Sequence, residues 1–317
     1  MSTVWFMVDD TDTTSLAYSE PHSNFAIAST KTFNATRGPA YNNTLHSTTH
    51  KASITFNFNG TSFFGVYGSL DMVKPLGTLP DITCSLDGFP TSSPQYSYDV
   101  GTANNNYLAC FANSDVLSQN LGEHELVIDI TNSVNSTWFF DYLTYESLPN
   151  PILNGEMLQA GNQQLIPSAN YSMLSFGPGW VNQEQDDSIE TNVVGSEVTI
   201  NFNGTQLALY GDLNSNVSNT APYQVDERAP VGFEIQGSGT SSTLTNTALF
   251  NTDLSIEEHK VVVTFNGSTS GNPLDINYFL ITSLTQAEQA SLPGLPLVAS
   301  HHHQPPLCRQ MFVPRPR

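Results

Sequence analysis

The chain has 317 residues, enough for two domains of roughly 140 each. Acids outnumber bases by 29 to 9, a formal charge of −20, and charged residues make up only 12% of the total. Such a surface repels nucleic acid and anionic lipid, so neither is an expected partner, and no run of about 20 apolar residues offers a membrane span.

Val4 to Val8 reads as an apolar strand that stops at Asp9-Asp10-Thr11-Asp12. An oxygen-rich cluster of this kind serves either a calcium ion or an Asx-type turn; the turn is the reading adopted, and no metal or cofactor is expected. Residues 19 to 50 are loop-rich and lead into SITFNFNGTSFFGVYGSL at 53 to 70. The same text returns as EVTINFNGTQLALYGDL at 197 to 213. In each, alternating apolar residues (Ile54, Phe56, Phe58; Val198, Ile200, Phe202) predict a strand with one buried face. Asn59-Gly60 and Asn203-Gly204 then predict type I′ hairpin turns. The repeat therefore predicts two copies of one β domain.

Further along, Ile82 to Leu86 reads as a strand closed by Asp87-Gly88, with Val231 to Ile235 as its expected counterpart. Tyr107 to Phe111 is matched by Ala248, Leu249 and Phe250. Gly122 to Ile128 is matched by Glu257 to Val263, and Trp138 to Leu143 by Leu274 to Leu280. Pro149-Asn150-Pro151 marks the boundary, since proline stops strand pairing. Seven or more short strands per copy predict an all-β chain of two sandwiches, 1–149 and 152–285. Residues 284 to 291 look briefly helical, and 286–317 are set apart as a disordered Pro-rich tail whose His301-His302-His303 run is not read as a metal site.

Cys84 and Cys110 lie in different predicted strands of the first copy, and the second copy has apolar residues there, Phe233 and Phe250 or a neighbour. A pair replaceable by apolar bulk is a structural disulfide, and it points to an oxidising compartment. Cys308 is left over in the tail. Asn-x-Ser/Thr acceptors occur at Asn34, Asn42, Asn59, Asn135, Asn170, Asn203, Asn216 and Asn266. In a chain so rich in these residue types the number is close to chance, and Asn59, Asn203 and Asn266 are also explained as turns. The start, MSTVWFMVDD, has no basic stretch and too short an apolar run for a signal peptide; the reading adopted is that the true start is missing.

No nucleophile elbow, zinc-protease helix, phosphate loop or Cys-x-x-Cys pair is present, so no catalytic residue is assigned. Gly267-Ser268-Thr269-Ser270-Gly271 comes nearest, with threonine in the nucleophile's place. Glu123-His124 and Glu258-His259 recur at one point of the repeat, where a histidine that caps a turn is the plainer explanation. Asp186-Asp187 are neighbours, and neighbours on a strand face opposite ways, which is not the geometry of glycoside hydrolysis. Tyr171 and Trp180, with Asp186 and Asp187, instead form the candidate ligand site. A flat ring beside hydrogen-bonding groups suits the apolar face of a sugar. The first copy offers Phe25, Phe33 and Tyr41 in the corresponding stretch but neither tryptophan nor an acidic pair.

The chain resembles fungal cell-surface proteins with two tandem jelly-roll ectodomains of the galactose-binding-like kind. The residues that carry the likeness are Val8-Asp9-Asp10-Thr11-Asp12, Tyr41 to Ser47, Phe56 to Thr61 with Val66-Tyr67-Gly68, the Cys84/Cys110 pair, Glu123 to Leu126 and Trp138 to Tyr142. The likeness covers about residues 1 to 285. It implies a jelly-roll topology and presentation outside the cell or at its surface, and the family has no well-defined activity to carry over. Separately from the likeness, the chain is expected to be a monomer whose partners are glycans or cell-wall polysaccharide. Three functions are weighed: a non-catalytic carbohydrate-binding or adhesive module first, a sensor ectodomain or passive wall component second, and an acidic glycan-active enzyme third. The tail departs from the family, which carries a stalk and a membrane helix there.

Overall fold

The computed structural model describes residues 3–19, 25–29, 38–70, 80–93, 104–112, 118–131, 137–161, 173–183, 188–239 and 243–292. Their regular structure is almost entirely antiparallel strand, as the alternation predicted. The first half contains β1 (Trp5–Asp9), β2 (Leu16–Tyr18), β3 (Ala26–Ser29), β4 (Thr44–Thr48), β5 (Ala52–Leu70), β6 (Asp81–Leu86), β7 (Phe89–Pro90), β8 (Asn104–Ala112), β9 (Leu121–Thr131) and β10 (Trp138–Ser147). The second contains β11 (Met157–Gly161), β12 (Leu174–Phe176), β13 (Val181–Gln183), β14 (Ser188–Thr191), β15 (Glu197–Leu213), β16 (Asn219–Val225), β17 (Val231–Ile235), β18 (Leu244–Thr264), β19 (Leu274–Ile276) and β20 (Tyr278–Ser283).

The repeated stretch is not a hairpin. β5 runs unbroken for 19 residues through Asn59-Gly60, and β15 for 17 through Asn203-Gly204. Each strand changes sheets at that point. Residues 52–61 of β5 pair with β9, whereas 64–70 pair with β8. β15 likewise pairs first with the C-terminal part of β18 and then with its N-terminal part, shifting register between Gly204 and Gln206. A strand that turns the corner of a sandwich in this way serves both layers. The glycines are there for close approach, not for a turn: a Cβ on Gly60 would lie 2.4 Å from the Glu146 carbonyl oxygen, and one on Gly204 2.5 Å from that of Thr282. Only Asn266-Gly267, beyond the end of β18, sits in a loop between strands.

Each half has its own apolar cluster. Ile54, Phe56, Phe58, Leu126, Ile128, Ile130 and Trp138 lie in one, and Val198, Ile200, Phe202, Val261, Val263 and Phe279 in the other. The two are joined edge to edge, because β1 pairs with β10 on one side and with β11 on the other. A third cluster draws on both halves: Met7, Tyr67, Leu108 and Tyr142 meet Ala208, Tyr278 and Leu280. Within it Tyr67 stacks on Tyr142 at 4.7 Å between centroids, and Tyr210 on Tyr278 at 5.0 Å.

Two further expectations change. The counterpart of β6 is β16, not β17, because β6 pairs with β9 as β16 pairs with the matching part of β18. Residues 286–291, set apart with the Pro-rich tail although they read as briefly helical, form α1 (Gln286–Ser291). A capping box between Thr285 and Glu288 starts this helix, and Gln289 Nε2 donates to the Leu153 carbonyl. The remainder of the tail, with His301 to His303 and Cys308, lies outside the described residues. No helix among the described residues is long and apolar enough to cross a membrane.

Candidate functional site

Cys84 on β6 and Cys110 on β8 are bonded, with Cα atoms 6.1 Å apart, and the bond ties one sheet of the first half to the other. Registers place Tyr223 and Phe250 at the same two positions of the second half. Their rings stack at 4.3 Å with an interplanar angle of 10°. The expected Phe233 is a neighbour, 5.1 Å from Phe250, and not the equivalent.

The acidic start of the chain divides its work. Asp12 Oδ1 accepts from the Thr14 N–H, the Thr14 hydroxyl and the Ser15 N–H, which is an Asx turn. Asp10, fully buried, accepts from the Thr44 hydroxyl at 2.8 Å and lies 2.8 Å from His46 Nδ1. Asp141 is buried too, takes its hydrogen bonds from the Tyr41 N–H, and is pushed well above the ordinary carboxylate range, first by burial and then by the nearby acids.

The recurrent histidines clamp a turn. Asp87 has φ 52° and Asp226 has φ 52°. Asp87 Oδ2 lies 2.8 Å from His124 Nδ1, and Oδ1 accepts from the Glu125 N–H at 2.8 Å. In the second half the distances are 3.0 Å to His259 Nδ1 and 2.9 Å from the Lys260 N–H. Burial raises both aspartates slightly, but these hydrogen bonds outweigh it and hold them below the usual range. His259, Asp226 and Glu257 come within 4.8 Å of one another. Both ring nitrogens of His259 are already engaged, however, Nε2 with the Ser255 carbonyl at 2.9 Å.

Of the expected ligand residues, Trp180 is described, and Tyr171, Asp186 and Asp187 lie outside the described residues. Trp180 is half-buried against the second core. Its Nε1 donates to the Glu197 carbonyl at 2.9 Å, and its ring meets Phe176 edge-on at 5.1 Å. Gly177-Pro178-Gly179 folds beneath it: the Thr191 hydroxyl donates to the Gly179 carbonyl and the Ser196 hydroxyl to that of Pro178. Val193 packs against Gly179, and Val181, Val193 and Val194 are exposed. The acceptors Asn42, Asn59, Asn203, Asn216 and Asn266 are all exposed, while Asn34, Asn135 and Asn170 lie outside the described residues.

A carboxyl that sequence reading missed is Asp275 on β19. It is 1% exposed, and burial together with Asp212 and Glu190 raises it to about 8. Its Oδ2 accepts from the Ser188 hydroxyl and from Asn214 Nδ2, and its Oδ1 has no partner among the described residues. A group this enclosed is out of a substrate's reach. Because the folded value stands above the ordinary 3.8, the unfolded chain releases this proton first. Stability then falls as pH rises from about 4 to about 8, by about 1.4 kcal/mol for each unit crossed. Asp275→Asn removes that slope. Its melting temperature overtakes the parent's progressively up to about pH 8, and parallel pH profiles for the two proteins would refute the assignment.

The feature that sequence reading also missed is a groove of about 520 Å³ on the outer face of the first half, lined by Asn57, Phe58, Asn59, Asp87, Glu123, His124 and Glu125.

No protein-family model and no curated protein matches the chain. Among solved structures it is similar to a Paenibacillus xanthan lyase, with 11% identity over 85% of this chain and 25% of that one and a TM-score of 0.23. It is also similar to the N-terminal CBM22-1–CBM22-2 tandem of Paenibacillus barcinonensis Xyn10C, with 10% identity, 86% and 94% coverage and a TM-score of 0.26. PNGF-II gives 10% identity, 83% and 66% coverage and a TM-score of 0.24. The chain thus spans a quarter of the lyase and about two thirds of PNGF-II. At such scores the likeness carries no argument about a site or a ligand.

Proposed function

We propose that this chain is a non-catalytic extracellular module that binds carbohydrate, built from two jelly-roll domains (1–149 and 152–285) on a cell-surface protein. The observation that supports this reading is the setting of Trp180. An indole fixed by one hydrogen bond and one edge-on aromatic contact, half-buried in a stretch that also exposes Val181, offers a rigid apolar plane. Sugar rings stack on such planes, and loops at the end of a rigid scaffold are where binding groups gather. Tyr171, Asp186 and Asp187 complete the proposed site, the acids accepting sugar hydroxyls. The Cys84–Cys110 bond supports the extracellular part of the reading, since such bonds persist in oxidising compartments.

A single stacking plane gives weak binding, near millimolar or about −4 kcal/mol. Trp180→Ala is expected to abolish retention of neutral glycans in array and affinity-electrophoresis measurements, while circular dichroism stays unchanged. A variant that unfolds makes Trp180 a core plug, and one that stays folded and binds as before places it outside any site; either result ends the proposal. Trp180→Phe, which keeps a plane, separates lost stacking from lost folding.

A further inference from the structure

Four asparagines in the chain are followed by glycine, and the fold gives them unlike surroundings. Such an asparagine is open to attack on its side-chain carbonyl carbon by the next backbone nitrogen, because glycine has no side chain to obstruct the approach. The reaction needs a free N–H, a mobile amide and room for the backbone to turn. Asn59-Gly60 and Asn203-Gly204 lack that room. Gly60 is flanked by β9 and β10, and Gly204 by β18 and β20, so both edges of the chain are paired. Asn154-Gly155 is held by other bonds: Asn154 Oδ1 accepts from the Gln286 N–H at 2.9 Å, and the Gly155 N–H donates to the Leu284 carbonyl at 3.3 Å.

Asn266-Gly267 is placed differently. β18 ends at Thr264, and the pairing runs out at Phe265, whose N–H donates to the Ser196 carbonyl and whose own carbonyl accepts from the Gly195 N–H. Asn266 is exposed, and its Oδ1 meets the Thr220 hydroxyl at a long 3.4 Å. The loop that follows is held by one buried side chain, Asn219. Its Oδ1 accepts from the Ser268 N–H, and its Nδ2 donates to the Ser268 and Asn272 carbonyls, each at 2.8 Å. Gly267 lies against the same amide, where a Cβ would stand 2.0 Å from Asn219 Oδ1. The pair therefore combines an exposed amide and an unpaired stretch of backbone with a clamp just beyond it that depends on backbone spacing.

We infer that Asn266 is a site of spontaneous deamidation in the folded protein, and that the product undoes the Asn219 clamp. The Gly267 nitrogen bonds to Asn266 Cγ and gives up its proton to solvent, while Nδ2 leaves as ammonia, which closes a succinimide ring. Water then opens the ring at one carbonyl or the other. One product is an ordinary aspartate, and the other is linked through its side chain, with an extra methylene in the backbone. No oxidant, reductant or cofactor takes part. The second product shifts Gly267 and Ser268 against Asn219 and leaves a buried amide short of partners, which destabilises the loop. Asn266 is also a glycan acceptor, and a sugar on Nδ2 would occupy the atom that has to leave, so the two fates exclude each other. The inference is independent of the Trp180 surface.

The test is timed incubation of the full chain at mildly alkaline pH, folded and in urea, after production in a host that adds no N-glycans. Peptide mapping locates the one-unit gain in mass, and isoaspartyl methyltransferase labels the side-chain-linked product. In urea, Asn59, Asn154, Asn203 and Asn266 are all expected to react. In the folded chain Asn266 should stay within about tenfold of its rate in urea, whereas Asn59, Asn154 and Asn203 fall further behind because their bonds must open first. The aged folded chain should melt at a lower temperature than fresh material. Asn266→Gln, whose longer side chain closes its ring far more slowly, should show no such fall. Asn266 as slow as Asn59 and Asn203, or either of those keeping pace with it, would overturn the site. An equal fall in melting temperature in Asn266→Gln would overturn the effect on the clamp.

Discussion

Reducing the Cys84–Cys110 bond is expected to lower the stability of the first half by about 3.5 kcal/mol, on the chain-entropy relation for a loop of this length, and its melting temperature by roughly 10 °C. The bond closes a 26-residue separation and joins two sheets, so its loss frees the unfolded chain and unfastens β6 from β8 together. The second half supplies the internal control. Tyr223 and Phe250 hold the same two positions by ring stacking, which a reductant does not touch. Hydrogen exchange with and without dithiothreitol should therefore show β6 and β8 losing protection while β16 and β18 keep theirs. Cys84→Ala/Cys110→Ala should reproduce the effect without reductant. A melting temperature indifferent to both treatments would show that the bond contributes nothing to the fold.

Tyr142→Ala should be the most damaging change at the join between the halves. The ring is 1% exposed, stacks on Tyr67 and shares its cluster with Tyr278 and Leu280 of the second half. Deleting a buried aromatic ring costs about 3–5 kcal/mol. The same burial, with the neighbouring tyrosines, raises the phenols of Tyr142 and Tyr278 well above their ordinary value, so the cluster stays uncharged at any physiological pH. In the variant, calorimetry is expected to resolve separate transitions for the two halves, because the side-chain packing of this cluster is lost and the β1–β11 pairing is left to join them. Tyr142→Phe keeps the ring and should lose only about 1 kcal/mol. A single unshifted transition in the alanine variant would refute the coupling.

Much of this was legible in the sequence. Period-two alternation put Ile54, Phe56 and Phe58 in the core, and the return of Glu-His at one point of the repeat marked the turn clamp before any distance was known. The Asn-Gly pairs misled because glycine answers two needs, a positive φ and a near backbone neighbour, and the second depends on a strand 80 residues away. Asp275 was invisible for a similar reason: its burial is set by Ser188, Asn214 and Asp212, none of them near it in the chain. The groove could have been found by comparing the copies, since Gly88 and Gly122 stand where Glu227 and Glu257 stand in the second half. Bulk lost at aligned positions is a readable mark of an opened surface. Trp180 drew notice as a residue type, and its anchorage to Glu197 followed only from the fold.

The pairing of β1 with β11 has a symmetry that reaches beyond stability. Trp5, Phe6 and Met7 are the counterparts of Met157, Leu158 and Gln159, and the register sets Phe6 opposite Leu158, Trp5 opposite Gln159 and Met7 opposite Met157. Each contact is thus returned by its mirror across an axis through Phe6 and Leu158, with the Tyr67–Tyr142 and Tyr210–Tyr278 stacks related in the same way. That is the form of an isologous interface, in which one patch meets a copy of itself. The chain has the geometry of a two-fold dimer whose subunits were fused end to end. Two copies on one chain need not match, and here Cys84–Cys110 in the first half stands where Tyr223 and Phe250 stack in the second.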